Sequence, residues 1–182
     1  MFREIVFMDI YFLRHASAGQ YDPAKNDEKR AIDKTGEQQS RDVGRALAAL
    51  DLELDVILSS PLTRAMQTAE ITAGELGYKN KIVTEDALRP EANYEQFEEL
   101  LARCGKKKAV MVVGHNPSMT DFLHRMLAGG SAEFIDFKKG AVAKVEKDGR
   151  QPAVLKWCMT PKVIRAIQQA SASSSRPKTV SK

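Results

Sequence analysis

The sequence predicts an α/β fold of three layers, with a mostly parallel central sheet held between helices. Two observations predict it. Short apolar runs alternate along the chain with longer segments of helical period. One run, Ala109-Val110-Met111-Val112-Val113, is almost free of polar residues, as suits a strand covered by helices on both faces, and it belongs at the centre of the sheet.

Taken in order, the strand-like runs are residues 9–13, 56–58, 82–83, 109–113, 141–145 and 154–159. Between the first two, Thr35-Gly36-Glu37-Gln38 has capping-box spacing, with Thr35 at the N-cap and Gln38 three later, opening an amphipathic helix through Val43, Leu47 and Leu50. Ser60-Pro61 reads as the next helix start, with Ser60 as cap and Pro61 in the first turn, running to Leu76 before Gly77. A third helix spans residues 94–103 and ends near Gly105. A fourth opens at Asn116-Pro117 and carries Met119, Phe122, Leu123, Met126 and Leu127 up to Gly129-Gly130. A fifth runs from Pro161 to about Gln169.

The 182 residues suffice for one domain with one sizeable core. Hydrophobic residues at 43% and charged residues at 29% match an ordinary globular chain, and nothing suggests a membrane span or a cleavable leader, so a cytoplasmic protein is expected. The net charge of +4 suggests nucleic-acid binding only at first sight. Arg176, Lys178 and Lys182 lie in the last twelve residues, and subtracting them leaves +1 for the body. The expected organisation is a core of residues 1–170 and a disordered, basic, Ser-rich tail of residues 171–182. No nucleic-acid partner is expected, and the oligomeric state is left open.

The two cysteines, Cys104 and Cys158, are too few for a disulfide framework. Cys158 sits in an apolar run and is expected in the core. A cysteine phosphatase needs Arg six positions after the nucleophile, where Cys104 has Val110 and Cys158 has Ile164.

The chemistry-bearing residues fall at strand ends. His15 follows Ile10-Tyr11-Phe12-Leu13-Arg14, and His115 follows Val110-Met111-Val112-Val113-Gly114; ligands of open α/β sheets bind at such carboxyl ends. After the run at 56–58 comes Ser59-Ser60-Pro61-Leu62-Thr63-Arg64, which puts Arg64 in the first turn of a helix. The helix macrodipole disfavours a cation there, and a bound anion would account for it; pairing with Glu70 or Asp55 is the plainer alternative. Together Arg14, His15, Arg64 and His115 form a cationic set without metal-binding carboxylates. Neutral imidazole is a competent nucleophile near neutral pH, and fixed Arg and His donors can hold the charge of a transferring phosphoryl group without a metal or cofactor. His124, alone within its helix, reads as structural or surface.

Leu13-Arg14-His15-Ala16 resembles the Arg-His-Gly signature of the histidine phosphatase superfamily, which includes the phosphoglycerate mutases and many small phosphatases. The stretch from Ser59 through Arg64 to Ala69 resembles its second motif, and Gly114-His115-Asn116-Pro117 its third. Order, spacing and length are most similar to the SixA-type phosphohistidine phosphatases. The resemblance implies a phosphoglycerate-mutase-like fold, His15 as nucleophile and Arg14, Arg64 and His115 as phosphate ligands. Arg30, in a stretch similar to the family's Arg-x-Leu-Thr-x-x-Gly loop, and Ser17 are the implied substrate-binding residues. Ala16 replaces the signature glycine, which strains the turn only if φ is positive there. Glu91 is the candidate proton donor to the leaving group. A phosphoramidate such as phosphohistidine has a good leaving group once its ring is protonated and needs less help than an alkyl phosphate. The expected substrate is therefore a phosphorylated protein; a small phosphate ester, a mutase reaction or a phosphate-binding regulatory module are the alternatives.

Overall fold

The structure, a computed structural model, describes residues 7–130, 135–148 and 152–174. Its elements follow in chain order as β1 (Met8–Arg14), α1 (Lys34–Ala48), β2 (Val56–Ser59), α2 (Thr63–Leu76), β3 (Val83–Thr84), α3 (Tyr94–Arg103), β4 (Ala109–Gly114), α4 (Ser118–Ala128), β5 (Val142–Lys147), β6 (Val154–Met159) and α5 (Pro161–Ser174). One sheet has the order β3-β2-β4-β1-β5-β6. The strands from β3 to β1 run parallel, and β5 pairs antiparallel with both β1 and β6. The apolar run at β4 is central, as expected, and Val110 to Val113 are fully buried.

Alternation of side chains sends successive residues of each strand into different layers. Ile10, Phe12, Val110 and Val112 pack beneath α3 and α4 with Phe97 and Phe122, whose rings stack at 4.5 Å. Tyr11, Leu13, Met111 and Val113 pack with Val43 and Leu47 of α1, Ala65 and Ala69 of α2, and Ile164 of α5. The expected three-layer α/β/α sandwich is what forms.

Several local expectations are corrected. The N-cap of α1 is Asp33, not Thr35: its carboxylate accepts from the Gly36 N–H and also from the Ser17 hydroxyl, so the stronger acceptor starts the helix earlier. That helix ends at Ala48, leaving Leu50 exposed. Ser60 does not cap α2, which begins at Thr63 behind Leu62 with no side-chain cap. Helix α4 does open at the Asn116-Pro117 pair, with Pro117 as N-cap and Ser118 as its first residue. Cys158 is exposed on edge strand β6 instead of buried. Helix α5 extends past Gln169 to Ser174; residues 175–182 of the expected tail lie outside the described residues. No helix among the described residues is long and apolar enough to cross a membrane.

Candidate active site

Strand register builds the site. Parallel β1 and β4 pair Arg14 with Gly114, so the residues that follow, His15 and His115, emerge side by side at the carboxyl edge. Their rings lie 4.9 Å apart between centroids, tilted by 50°. On the other flank of β4, Ser59 pairs with Val113, which brings Ser60 alongside. Main-chain bonds fix these turns: His15 N–H donates to Gly114 O at 2.9 Å, Ser60 N–H to Val113 O at 2.9 Å, and Gly140 N–H to the carbonyls of both Arg14 and His15 at 3.1 Å. The Ala16 N–H donates to Thr68 Oγ1 at 3.1 Å. Ala16 is not among the residues of positive φ, so replacing the signature glycine brings no backbone strain.

The protonation of His15 follows from one contact. Its Nδ1 lies 2.8 Å from the carbonyl oxygen of Ala16. A carbonyl only accepts, so Nδ1 carries the hydrogen and Nε2 keeps a lone pair. Burial pushes the His15 pKa down to about 3, the Ala16 bond opposing and Arg64, Arg14 and Lys139 adding to the fall. The ring is therefore neutral at pH 7. His115 is driven down to about 2, by burial first and then by His15 and the arginines. Its Nε2 is 2.9 Å from Ser60 Oγ, and its buried Nδ1 has no partner among the described residues.

Two guanidiniums accompany the rings. Arg14 Nη1 donates to Phe137 O at 2.8 Å, and burial lowers its pKa against the pull of Asp136. Arg64 stands in the first turn of α2, which has no acidic residue, and only 4% of it is exposed. It pairs with neither Glu70 nor Asp55. Its Nη1 meets Asp27 instead, 2.9 Å from the main-chain carbonyl and 3.1 Å from Oδ2. Burial lowers the Arg64 pKa, with Asp27 opposing. For Asp27, burial raises the pKa, but the pairing with Arg30 and Arg64 wins and holds it below the usual carboxylate range. Nε of both Arg14 and Arg64 is buried without a hydrogen-bond partner among the described residues. Unpaired buried N–H groups are costly, and a bound anion would satisfy them.

The remaining candidates divide. Arg30 joins the cluster through Asp27, donating from Nε to Oδ1 at 2.7 Å and from Nη1 to Gly19 O at 3.1 Å. Ser17 is bonded to α1: its hydroxyl donates to Asp33 at 2.8 Å and its N–H to Gln39 at 2.9 Å. Glu91 is 68% exposed, 4.0 Å from Arg89, and lines a cleft of about 1150 Å³ together with Asn116 and Phe137. That cleft adjoins the histidines, because Asn116 follows His115 and its amide shares the Phe137 carbonyl with Arg14. His124 is structural, buried and accepting from Ile135 N–H at 3.1 Å. No group of three or more His, Cys, Asp or Glu among the described residues is arranged to hold a metal.

Sequence reading missed Asp27 and Ser60. The Asp-x-x-Arg spacing from Asp27 to Arg30 was the available signal for the first. Ser60 was visible only as a helix cap.

A family model of the histidine phosphatase superfamily (branch 1) matches residues 10–104. An uncharacterized protein of Picosynechococcus sp. is 30% identical over 138 residues, covering 74% of this chain and 82% of that protein. Among solved structures, the protein histidine phosphatase SixA complexed with tungstate superposes with a TM-score of 0.77 at 23% identity, over 85% of this chain and 98% of that one. A candidate phosphohistidine phosphatase SixA of Agrobacterium tumefaciens gives a TM-score of 0.71 at 26% identity, over 85% and 98%. The phosphoglycerate mutase of Bacillus anthracis shares the fold, with a TM-score of 0.69 at 13% identity over 90% and 98%.

Proposed function

The chain belongs to the histidine phosphatase superfamily, and from that premise we propose that it is a SixA-type phosphatase that removes phosphoryl groups from phosphohistidine in a partner protein. The observation that carries the reading is the Nδ1–H of His15 held on the Ala16 carbonyl, which leaves Nε2 with its lone pair. In the first step Nε2 attacks phosphorus, a P–Nε2 bond forms and the P–N bond to the leaving imidazole breaks, its electron pair returning to that ring. In the second step water attacks the phosphorylated His15, the P–Nε2 bond breaks and inorganic phosphate leaves. Arg14, Arg64 and His115 donate to the phosphoryl oxygens throughout, work that fixed donors in a water-poor site do well. No metal takes part in this scheme.

Tungstate, held by the similar SixA, is a tetrahedral oxyanion of phosphate's shape and supports an oxyanion between the two arginines here. Glu91, the candidate donor to an alkoxide leaving group, stands in solvent with its carboxylate 4.0 Å from the Arg89 guanidinium. Phosphohistidine, which makes the smaller demand, is the substrate better suited to this pocket.

The test mixes the chain with a labelled phosphohistidine protein, a phosphoserine peptide and a sugar phosphate, with and without EDTA. A transient acid-labile phosphoenzyme, absent in His15→Ala, with preference for the first substrate and no loss to EDTA, is expected. Undiminished label in His15→Ala would remove the nucleophile assignment, and preference for the sugar phosphate would remove the substrate assignment.

A further inference from the structure

The carboxylate of Asp27 is divided between two guanidiniums. Oδ1 takes Arg30 Nε at 2.7 Å, and Oδ2 lies 3.1 Å from Arg64 Nη1, which also donates to the Asp27 carbonyl at 2.9 Å. The turn that carries it, Asp27–Lys29, is braced on each side. The Asn26 side chain accepts from Glu28 N–H at 2.9 Å, Glu28 pairs with Arg89 at 2.6 Å, and Arg30 Nη1 reaches the Gly19 carbonyl. Asp27 is thus a fixed acceptor at the edge of the cationic site.

A guanidinium offers five N–H groups in a rigid planar fork, and a phosphoryl group engages two of them along one edge. Asp27 occupies Nη1 of Arg64, while Nε is buried and has no partner among the described residues. The edge that contains Nε is therefore the one left for the phosphoryl oxygens. Such an arrangement has an electrostatic cost. A carboxylate beside a phosphate dianion repels it, so its presence lowers ground-state attraction. Its compensating effect is orientation, which acts on the transition state.

We propose that Asp27 is a positioning residue that never touches substrate and sets which edge of Arg64 meets the transferring phosphoryl group. The inference rests on the phosphatase reading. It predicts a split that a merely structural residue would not give: removing the negative charge lowers kcat while leaving KM unchanged or lower.

The experiment measures steady-state turnover of a phosphohistidine protein by wild type, Asp27→Asn and Asp27→Ala, each also combined with Arg64→Ala. The expected loss in kcat is about tenfold or more for either single variant, on the scale of misplacing a catalytic group by a fraction of an ångström. In the Arg64→Ala background the same substitutions should cost nothing further, because their effect passes through Arg64. Asp27→Asn keeps the shape of the side chain and decides the matter if Asp27→Ala does not fold. Equal losses on both backgrounds, or a kcat at the wild-type value, would overturn the proposal while leaving the phosphatase reading intact. A wild type without turnover would overturn both.

Discussion

His15 and His115 face each other with ring centroids 4.9 Å apart, and both are held neutral by burial and by the arginines around them. Two imidazolium ions at that distance in a water-poor pocket would repel strongly. Neutrality avoids that repulsion and is also the state the proposed mechanism uses.

The consequence for stability has a definite sign. Folding lowers both histidine pKa values from about 6.5, so between pH 6.5 and the folded values of about 3 and 2 the unfolded chain binds more protons. The stabilisation is fully present above pH 6.5 and is lost as the pH falls below it. Thermal unfolding of wild type should show Tm dropping between pH 7 and pH 4, and a His15→Asn, His115→Asn double variant should show a shallower drop. Parallel curves would mean that other groups govern the acid limb.

In the proposed mechanism Arg64 holds charge in both the ground and the transition state. Arg64→Ala should weaken tungstate or inorganic phosphate binding and lower kcat/KM by about 10²–10³-fold, the usual loss on removing a buried oxyanion donor. Calorimetric titration with the anion and steady-state kinetics check it together. A change in Tm with kinetics intact would instead make the Arg64–Asp27 contact purely structural.

Gly36 is a packing constraint on the turn that follows His15. A Cβ added there would land on the Ser17 carbonyl and come 3.0 Å from Ile32 Cβ. Ser17 lies two residues after His15, and its carbonyl also accepts from Asp33 N–H at 3.1 Å. Gly36→Ala should cost about 2–3 kcal/mol or more, the scale of overpacking against an immovable neighbour, and should lower kcat as the turn shifts. Denaturant unfolding and kinetics on the same preparation measure both. Gly74→Ala, within α2 where an added Cβ meets nothing within 4 Å, is the control: it should stabilise by up to about 1 kcal/mol through helix propensity and leave kcat unchanged.

Much of this site was legible before any fold was known. Arg14-His15 and His115 follow apolar runs, and Arg64 stands where a helix dislikes a cation; both signals are local and survive without tertiary information. The bonding of Ser17 was not legible, because the same hydroxyl fits a phosphate pocket or a helix start, and only the fold brings it to Asp33 at 2.8 Å. Ser60 shows the reverse case. By pattern it is a helix cap, yet in the fold its hydroxyl lies 2.9 Å from His115 Nε2. The placement of Cys158 failed for a related reason: an apolar run marks a strand, but not whether that strand lies at the centre or at the edge of its sheet.

By itself the sequence determined the alternation of strands and helices, the central place of residues 109–113, and the cations and imidazoles at the strand ends, since period and composition are properties of short segments. The tertiary structure alone decided that Arg14 pairs with Gly114, bringing His15 beside His115, and that Asp27 reaches Arg64 and Ser60 reaches His115. It also decided the protonation of His15. Register, burial and hydrogen-bond geometry depend on groups distant in the chain: the Ala16 carbonyl that fixes the His15 tautomer is adjacent in sequence, but the burial and the arginines that lower the ring's pKa come from elsewhere in the fold.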